Sequence, residues 1–354
     1  MSLRLEKFFL KNHGVDALLL NNGDVTDLGD PNFFYYSGLR VDSSILLASK
    51  DEGERILFTP KMHVEHAKFL SEQSGFDCTV VDYKGKEFLK KFSAEVKKMG
   101  LKRIGFNSYA LTSRSYLSLM RILRKAKLVD VGSKMLEQRM VKDEMEIGLI
   151  KNAVKSGKKI LDEIENEVKV GKRESEIAAK LKIKTIEMGF EPAFAPIVAS
   201  GKNGAFPHAV PSAKKLARDE AVTIDYGVRA NDYCSDLTRC YFLGNCKKQK
   251  EDYEKLQEIT GEIAKKAGRL KKFSQVTELA NKLMKENKLP ELPHSIGHGI
   301  GLEVHEYPGI RKNSEHRLAS GNVFTIEPGV YYAGNYGLRY EETVLLKDGK
   351  VLIL

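Results

Sequence analysis

The chain has 354 residues, of which 42% are hydrophobic and 30% charged, and its formal net charge is +10. This length exceeds one ordinary hydrophobic core and predicts two domains of a soluble globular protein. No apolar run reaches the roughly 18 residues of a membrane span. The charged segment 1–7 lacks the apolar core of a signal peptide, so we expect a cytoplasmic protein with no membrane partner.

The positive charge does not follow a nucleic-acid-binding pattern. Lysines are dispersed along predicted helices with acids between them, and no basic cluster has interleaved aromatic residues, so we expect no nucleic-acid partner. The cysteines are too few and too scattered for a disulfide framework, and the sequence has no CxxC pair. We predict that all are reduced thiols. They are Cys78, Cys234, Cys240 and Cys246.

The first part of the chain alternates apolar, strand-like runs with helical periodicity. The predicted strands are Asp16–Leu20, Ser44–Ala48, Arg55–Phe58, Cys78–Val81 and Arg103–Phe106. The predicted helices are His63–Ser71, Glu87–Met99 and Ser113–Lys125. This alternation predicts an α/β domain over residues 1–132.

A second domain is predicted over residues 133–354. Ser133 is a candidate cap for a helix from Lys134, and two amphipathic helices follow at about 143–168 and 174–188. Strands, glycines, histidines and acids dominate from residue 194 onward, interrupted by two helices within 249–287. We therefore expect an α+β fold for this domain.

Two aspartates lie on the two neighbouring strands of a predicted hairpin in this second domain. If Ala230 and Asn231 form the tip, Asp225 is paired with Asp236, and the two carboxylates project from the same face. Carboxylates that close repel each other unless a proton or a cation lies between them. Asp232, near the tip, has the simpler interpretation of a solvated acid.

Three histidines follow within a glycine-rich stretch at 294–306. Glycines on both sides of His298 would permit close approach of other backbone segments. A single histidine is more often structural than a ligand, but three within twelve residues indicate a site. Imidazoles such as His294 and His305 need not bind a metal, because they can donate to a developing oxyanion.

Two further acids end strand-like runs. Glu327 follows an apolar run and precedes Pro-Gly, and buried acids are rare unless they are paired or metal-bound. Glu341 and Glu342 point to opposite faces of a predicted strand, so at most one of them faces a cleft, and spacing alone does not choose between them. Arg339 shares the face of Glu341.

These residues together supply four carboxylates and one imidazole. This set is sufficient for two metal ions with room for a bridging water, whose pKa such a site would lower.

The order Asp225, Asp236, His298, Glu327, Glu341 resembles the pita-bread metallopeptidases, peptidase family M24, which include methionine aminopeptidase, aminopeptidase P and prolidase. The resemblance covers nearly the whole chain. The stretch 294–308, His-Ser-Ile-Gly-His-Gly-Ile-Gly-Leu-Glu-Val-His-Glu-Tyr-Pro, is similar to the prolidase and aminopeptidase P branch. The Phe-Tyr-Tyr-Ser-Gly at 34–38 and the junction at 139–147 are similar to the same branch. The resemblance implies a creatinase-like α/β N-terminal domain and an α+β pita-bread catalytic domain.

The resemblance also implies the role of each ligand. Asp225 would bind one metal, Asp236 and Glu341 would bridge both, and His298 and Glu327 would bind the second. By resemblance, therefore, Glu341 is the ligand rather than its neighbour. The expected cofactors are two divalent ions, most typically Mn or Co, with Zn or Fe as alternatives.

Further residues receive roles from the same resemblance. Glu327 would also accept the proton of the attacking water. His208 and His305 match substrate-contacting histidines, and His305 would hydrogen-bond the scissile carbonyl. Arg339 matches an arginine that would hold a carboxylate or order the surrounding loops.

The implied function is hydrolysis of the Xaa-Pro bond of dipeptides or short peptides, and relatives of this kind are commonly homodimers. An aminopeptidase P or a methionine-type aminopeptidase acting on longer peptides is the alternative, although methionine enzymes usually lack a leading domain of about 130 residues. A third reading is a non-catalytic binding protein of the same fold, but such branches have lost metal ligands.

Overall fold

The computed structural model describes residues 2–23, 30–51, 54–85, 87–123 and 125–354. The chain forms two compact units that divide between Gln138 and Arg139. The boundary expected from sequence after residue 132 stays a prediction. Across the described ranges, none of the helices combines the length and apolar character that a membrane span requires.

The N-terminal unit is built on a mixed six-stranded sheet with the order β4-β3-β2-β1-β5-β6. The strands are β1 Ala17–Asn22, β2 Ser44–Ser49, β3 Arg55–Pro60, β4 Thr79–Tyr83, β5 Arg103–Phe106 and β6 Lys127–Asp130. The central strand β1 pairs antiparallel with β2 and parallel with β5. Its apolar run is buried almost throughout, as expected for a central strand covered on both faces.

Six helices accompany this sheet along the chain. They are α1 Ser2–Lys11, α2 Pro31–Ser37, α3 Val64–Ser74, α4 Glu87–Lys98, α5 Ser113–Ile122 and α6 Gly132–Arg139. Phe92 of α4 packs against Phe58 of β3 in a core that includes Leu19 and Ile104. Every strand and helix predicted for this region is present, with ends shifted by a few residues. The α/β prediction for it is confirmed.

The predicted cap at Ser133 is wrong. Helix α6 begins one residue earlier, so Ser133 lies inside its first turn. The Asp130 carboxylate instead accepts a hydrogen bond from the Gly132 N–H at 3.0 Å. An aspartate satisfies the free N–H groups of a helix start as well as a serine does, and here it is the residue in reach.

The C-terminal unit contains four long helices, all close to their predicted positions. They are α7 Glu144–Glu165, α8 Glu174–Glu187, α9 Lys247–Ala267 and α10 Phe273–Glu286. Helix α7 starts with a capping box, in which Asp143 and Glu146 each accept the other's backbone N–H. Its buried face is apolar at helical spacing, including Ile147, Ile150 and Val154.

Antiparallel sheets form the rest of this unit. Their strands are β7 Glu191–Pro192, β8 Ile197–Ser200, β9 Glu220–Tyr226, β10 Val228–Ala230, β11 Tyr233–Cys234, β12 Leu237–Leu243, β13 Gly297–Gly299, β14 Glu306–Ile310, β15 Val323–Ile326, β16 Gly329–Tyr332, β17 Tyr336–Arg339, β18 Glu342–Lys347 and β19 Lys350–Ile353. They form sheets with the orders β11-β10-β7, β12-β9-β8 and β14-β13-β15-β18-β19, and the pair β16-β17. The core joins α9 and α10 to the five-stranded sheet, with Phe273 against Phe324.

The predicted register of the aspartate hairpin is wrong by two residues. Asp225 pairs with Thr238, not with Asp236, because the tip is Asn231–Asp232 rather than Ala230–Asn231. Both tip residues have positive φ, 48° and 75°, as a type I′ hairpin turn requires. Since side chains alternate along a strand, a shift of two residues keeps both aspartates on the same side.

A buried ion cluster fixes the segment just before α7. The guanidinium of Arg139 donates to Glu306, and the Lys142 ammonium lies 3.0 Å from the same carboxylate. All three side chains are almost completely buried. Burial alone would raise the pKa of Glu306, but the charges of Arg139 and Lys142 outweigh it and lower that pKa to about 2.

We predict that Glu306→Gln lowers the free energy of unfolding at pH 7 by about 3 kcal/mol, because two buried cations lose their shared anion. Urea denaturation followed by circular dichroism measures this loss. Since the folded pKa of Glu306 lies below the unfolded value of about 4.3, the carboxylate stabilises the fold above pH 4.3 and loses this effect as pH falls towards 2. The difference between wild type and variant must therefore shrink between pH 5 and pH 2.

Glu262→Gln is the matched control, since Glu262 forms an exposed ion pair with Lys266. Its denaturation midpoint should match that of the wild type. A Glu306→Gln protein as stable as the wild type at pH 7 would contradict the role of the buried cluster.

Candidate metal centre

Close backbone packing fixes the position of His298, one of the five predicted metal ligands. A Cβ at Gly297 would overlap the carbonyl oxygen of Thr325, and one at Gly299 would overlap that of Tyr307, so both positions require glycine. The His298 Nδ1 lies 3.1 Å from the Gly299 carbonyl oxygen and therefore carries the proton. This tautomer leaves the Nε2 lone pair free to bind a cation.

Carboxylates surround that Nε2 atom. It lies 3.4 Å from Asp236 Oδ2 and 3.7 Å from Glu327 Oε1. Glu327 directly follows β15, where the Pro-Gly after it ends the strand, so its side chain emerges at the strand end as predicted. Glu341 lies between β17 and β18 and belongs to the same cluster.

The ligand atoms fall into overlapping groups in which all atoms lie within 4.8 Å of one another. One group consists of Asp225, Asp236 and Glu341, and another of His298, Glu327 and Glu341. The structure thus brings all five predicted ligands together, and Glu341 belongs to both groups. A third group joins Asp236 and His298 to His305.

Burial makes this concentration of negative charge unfavourable without a counter-ion. Burial raises the pKa of Asp236, and the charges of Asp225 and Glu327 raise it further. The pKa of Glu341 is raised in the same way, by burial and then by Asp236. Burial also raises the pKa of Glu327, although the neighbouring His298 and Arg339 oppose the shift. A cation in the cluster would relieve this repulsion.

Arg339 is buried and lies next to the cluster. Its Nη2 donates to Asp225 Oδ2 at 2.5 Å, and its Nε donates to Thr238 Oγ1 at 3.1 Å. The Thr238 hydroxyl donates in turn to Glu341 Oε2 at 2.7 Å. These contacts engage one oxygen of Asp225 and one of Glu341, and the other oxygen of each acid has no hydrogen-bond partner among the described residues. Of the two expected roles of Arg339, they favour ordering its neighbours over holding a substrate carboxylate.

Glu342 has different surroundings from those of Glu341. Its carboxylate lies 2.5 Å from the Arg239 guanidinium and 3.1 Å from the Lys158 ammonium. Tyr340 also donates to it at 2.7 Å. Adjacent residues project to opposite sides, so one acid faces the cluster while its neighbour forms ion pairs.

Three histidines lie at the margin of the cluster. The ring centroids of His305 and His298 are 4.2 Å apart, edge to face. Although His305 is partly exposed, packing around its ring lowers its pKa to about 4, so this imidazole is neutral near pH 7. His208 is exposed, on the segment that follows β8. His294 accepts from Tyr331 through Nε2, because its Nδ1 lies 2.7 Å from the Ser295 carbonyl oxygen.

The residues fit a divalent cation. Asp225 Oδ1, Asp236 Oδ1 and Glu341 Oε1 are buried, and within the described part of the chain no donor reaches any of them. Buried carboxylate oxygens are normally satisfied, so these three oxygens are suited to bind a cation. Oxygen ligands with one imidazole suit hard or borderline divalent metals.

Family models match both units of the chain. Residues 148–348 match the model of metallopeptidase family M24, and residues 4–141 match the creatinase/prolidase N-terminal domain. The chain belongs to metallopeptidase family M24. It is therefore a hydrolase, and membership of this family implies the use of divalent metal. The resemblance and the fold class predicted from the sequence are both confirmed.

Similar proteins agree with this family over almost the full length. A Xaa-Pro dipeptidase of Pyrococcus horikoshii is 32% identical over 351 residues, covering 96% of this chain and 93% of that protein. The crystal structure of an X-Pro aminopeptidase from Thermotoga maritima is 31% identical, with a TM-score of 0.86 and coverage of 96% and 95%. A Xaa-Pro dipeptidase structure from Bacillus anthracis is 27% identical, with a TM-score of 0.88 and coverage of 99% and 95%.

Sequence reasoning missed the residues that orient the M24 ligands. Tyr331 donates to His294 and accepts from Arg339 at 2.8 Å, and Thr238 connects Arg339 to Glu341. The signal for Thr238 was its even spacing from Asp236, which places both on one side of the strand. Tyr331 carries no local signal, because only the β16–β17 pairing brings it to Arg339.

We predict that Mn²⁺ stabilises the metal-stripped protein and that Glu341→Gln removes most of this effect. At 100 times the dissociation constant, each occupied site should add about 2.7 kcal/mol to the free energy of unfolding. Without metal, Glu341→Gln should be at least as stable as the wild type, because the cluster loses one negative charge. Thermal unfolding with and without Mn²⁺ measures both effects.

Glu342→Gln is the control, since this neighbouring acid forms ion pairs outside the cluster. It should keep the full Mn²⁺-dependent increase in unfolding temperature. Equal Mn²⁺ stabilisation of Glu341→Gln and the wild type would contradict the ligand role of Glu341.

Proposed function

We propose that this M24 metallopeptidase hydrolyses the Xaa-Pro bond of dipeptides or short peptides with two divalent ions in the carboxylate cluster. The observation that carries the proposal is the pair of three-ligand groups sharing Glu341, because two adjacent sites with a common ligand suit two cations. The names of the Pyrococcus, Thermotoga and Bacillus relatives, all directed at Xaa-Pro bonds, support the substrate class.

In this proposal, Asp225 would hold one cation and His298 and Glu327 the other. Asp236 and Glu341 would contribute to both sites, consistent with the 3.4 Å between Asp236 and His298 Nε2. Mn or Co are the proposed ions, with Zn or Fe as alternatives, because ligand type alone does not select among them. We further propose a cytoplasmic homodimer.

Two divalent ions, when bound, would lower the pKa of a shared water and polarise the scissile carbonyl. Glu327 lies at the edge of the cluster and is the proposed acceptor of the proton from the attacking water, which it then passes to the leaving proline nitrogen. His305 is the proposed donor to the carbonyl oxygen as negative charge develops there. His208, on the segment that follows β8, is proposed to contact the substrate.

An aminopeptidase that releases the residue before proline from longer peptides is the second candidate. The specific observation in its favour is the Thermotoga relative, whose name states X-Pro aminopeptidase activity at 31% identity. A methionine-type specificity is less consistent with the chain, because residues 4–141 match a creatinase/prolidase N-terminal domain. A binding protein of the same fold is less consistent with the complete ligand set.

We predict that the metal-stripped protein, after addition of Mn²⁺ or Co²⁺, cleaves a Xaa-Pro dipeptide. Release of free proline measures this activity, and a Xaa-Pro tripeptide and a Met-Ala peptide are assayed in parallel. Cleavage of the tripeptide in preference to the dipeptide would assign the aminopeptidase candidate. Preference for the Met-Ala peptide would contradict the proline specificity, and no cleavage with two metals bound would contradict catalysis.

We predict that Glu327→Gln lowers kcat on the same dipeptide by about 10²- to 10⁴-fold, the usual contribution of a positioned general base. Circular dichroism and metal content establish that the variant is folded and loaded. Glu291→Gln, which changes an exposed acid paired with Lys312, is the control and should keep wild-type turnover. Near-normal turnover of loaded Glu327→Gln would exclude Glu327 as the proton acceptor.

A further inference from the structure

The segment between Ser200 and Ser212 carries His208 but has few apolar contacts of its own. It begins at the end of β8 and continues as a short 3-10 helix, Gly201–Ala205, followed by irregular chain. The side chains of Phe206 and Val210, on either side of His208, are 65% and 83% exposed. The apolar side chains beside His208 therefore do little to fix its position, which depends on backbone packing, such as that of Gly204 against Gly337, and on polar contacts.

One buried carboxylate supplies those contacts at both ends of the segment. Oε1 of Glu174 accepts hydrogen bonds from the backbone N–H and the hydroxyl of Ser200, each at 2.8 Å. Oε2 accepts from the backbone N–H and the hydroxyl of Ser212, at 3.1 and 2.7 Å. The Asn203 side-chain amide lies 3.1 Å from each oxygen. A single side chain thus closes a loop of eleven residues.

The backbone of α8 extends this attachment. The N–H of Glu174 donates to the Lys214 carbonyl at 3.1 Å, and the N–H of Ser175 donates to the Ser212 carbonyl at 3.0 Å. These N–H groups belong to the first turn of α8 and have no acceptor within the helix. Burial alone would raise the pKa of Glu174, but the hydrogen bonds from Ser212 and Ser200 outweigh it and lower that pKa. The carboxylate is therefore ionised at neutral pH.

The same segment also contacts the metal centre. The Pro207 carbonyl, next to His208, accepts from Arg339 Nη1 at 3.4 Å, and Arg339 holds Asp225. His208 therefore lies between two fixed points, the Glu174 carboxylate and Arg339.

We infer that Glu174 is a positioning residue for substrate binding, because it joins both ends of segment 200–212 and so places His208 against the metal centre. This inference rests on the proposed contact of His208 with the substrate. Glu174 itself is completely buried and contacts the segment rather than the site.

Glu174→Gln tests this inference with little change in volume. The variant side chain has one acceptor oxygen and one NH₂ group, and the NH₂ must face donors from Ser200 or Ser212. One end of the segment therefore loses its hydrogen bonds to the carboxylate, although the backbone contacts of α8 remain. Glu174→Asp keeps the ionised carboxylate and should restore part of the lost activity. Glu176→Gln changes an exposed acid two residues further along α8, and this control should behave as the wild type.

The decisive measurement is a double-mutant cycle of Glu174→Gln and His208→Ala, using kcat/KM for a Xaa-Pro dipeptide. Each single change should lower kcat/KM about tenfold or more, the effect of a lost hydrogen bond in a site. In the His208→Ala background, Glu174→Gln should add less than about twofold, because the residue it positions is already absent. Metal content should stay at the wild-type value.

Fully multiplicative effects would overturn the inference and leave the proposed function intact, whereas a His208→Ala protein with normal kcat/KM would refute the substrate contact itself. If Glu174→Gln does not fold, Ser212→Ala removes the hydroxyl hydrogen bond at one end, leaves the backbone N–H in place, and should show the same coupling to His208→Ala at smaller size. Hydrogen exchange of the peptide spanning 200–212 should be faster in Glu174→Gln than in wild type; unchanged exchange would also overturn the inference.

Discussion

Repulsion among buried carboxylates is the constraint on which the catalytic unit depends. Asp225, Asp236, Glu327 and Glu341 lie close together where burial already disfavours charge, and Asp236 and Glu341 respond with strongly raised pKa values. Such an arrangement is unfavourable for the free energy of folding unless cations bind within it. If metal binds there, part of the stability of this unit would depend on metal.

The residues around this cluster hold its ligands in place. Arg339 neutralises part of the charge and fixes Asp225, while Thr238 connects Arg339 to Glu341. The glycines beside His298 let neighbouring backbone approach closely enough to present its Nε2 atom. The ligands come from elements far apart in sequence, and these elements must pack within a few ångströms of one another. Packed sheets hold such side chains in place more precisely than loops do.

The sequence predicted most of the elements, and strand alternation and strand ends pointed to the acids that meet at the centre. The choice of Glu341 over Glu342 came from the family resemblance, because both acids fit the spacing. The hairpin register failed by two residues, since the turn formed at Asn231–Asp232, yet alternation kept Asp236 on the correct side. Tyr331 and Glu174 escaped prediction because each acts through residues distant in sequence. No local sequence pattern distinguishes Glu174, a buried acid at a helix start, from an acid on a solvated helix face.

We propose that the cluster binds two cations that share Asp236 and Glu341. Anomalous diffraction from crystals of the protein grown with Mn²⁺ tests this proposal directly. We expect two peaks about 3.5–4 Å apart, the spacing of two-metal sites, with both peaks in contact with Asp236 and Glu341. One peak alone, or two peaks without a shared carboxylate, would contradict it.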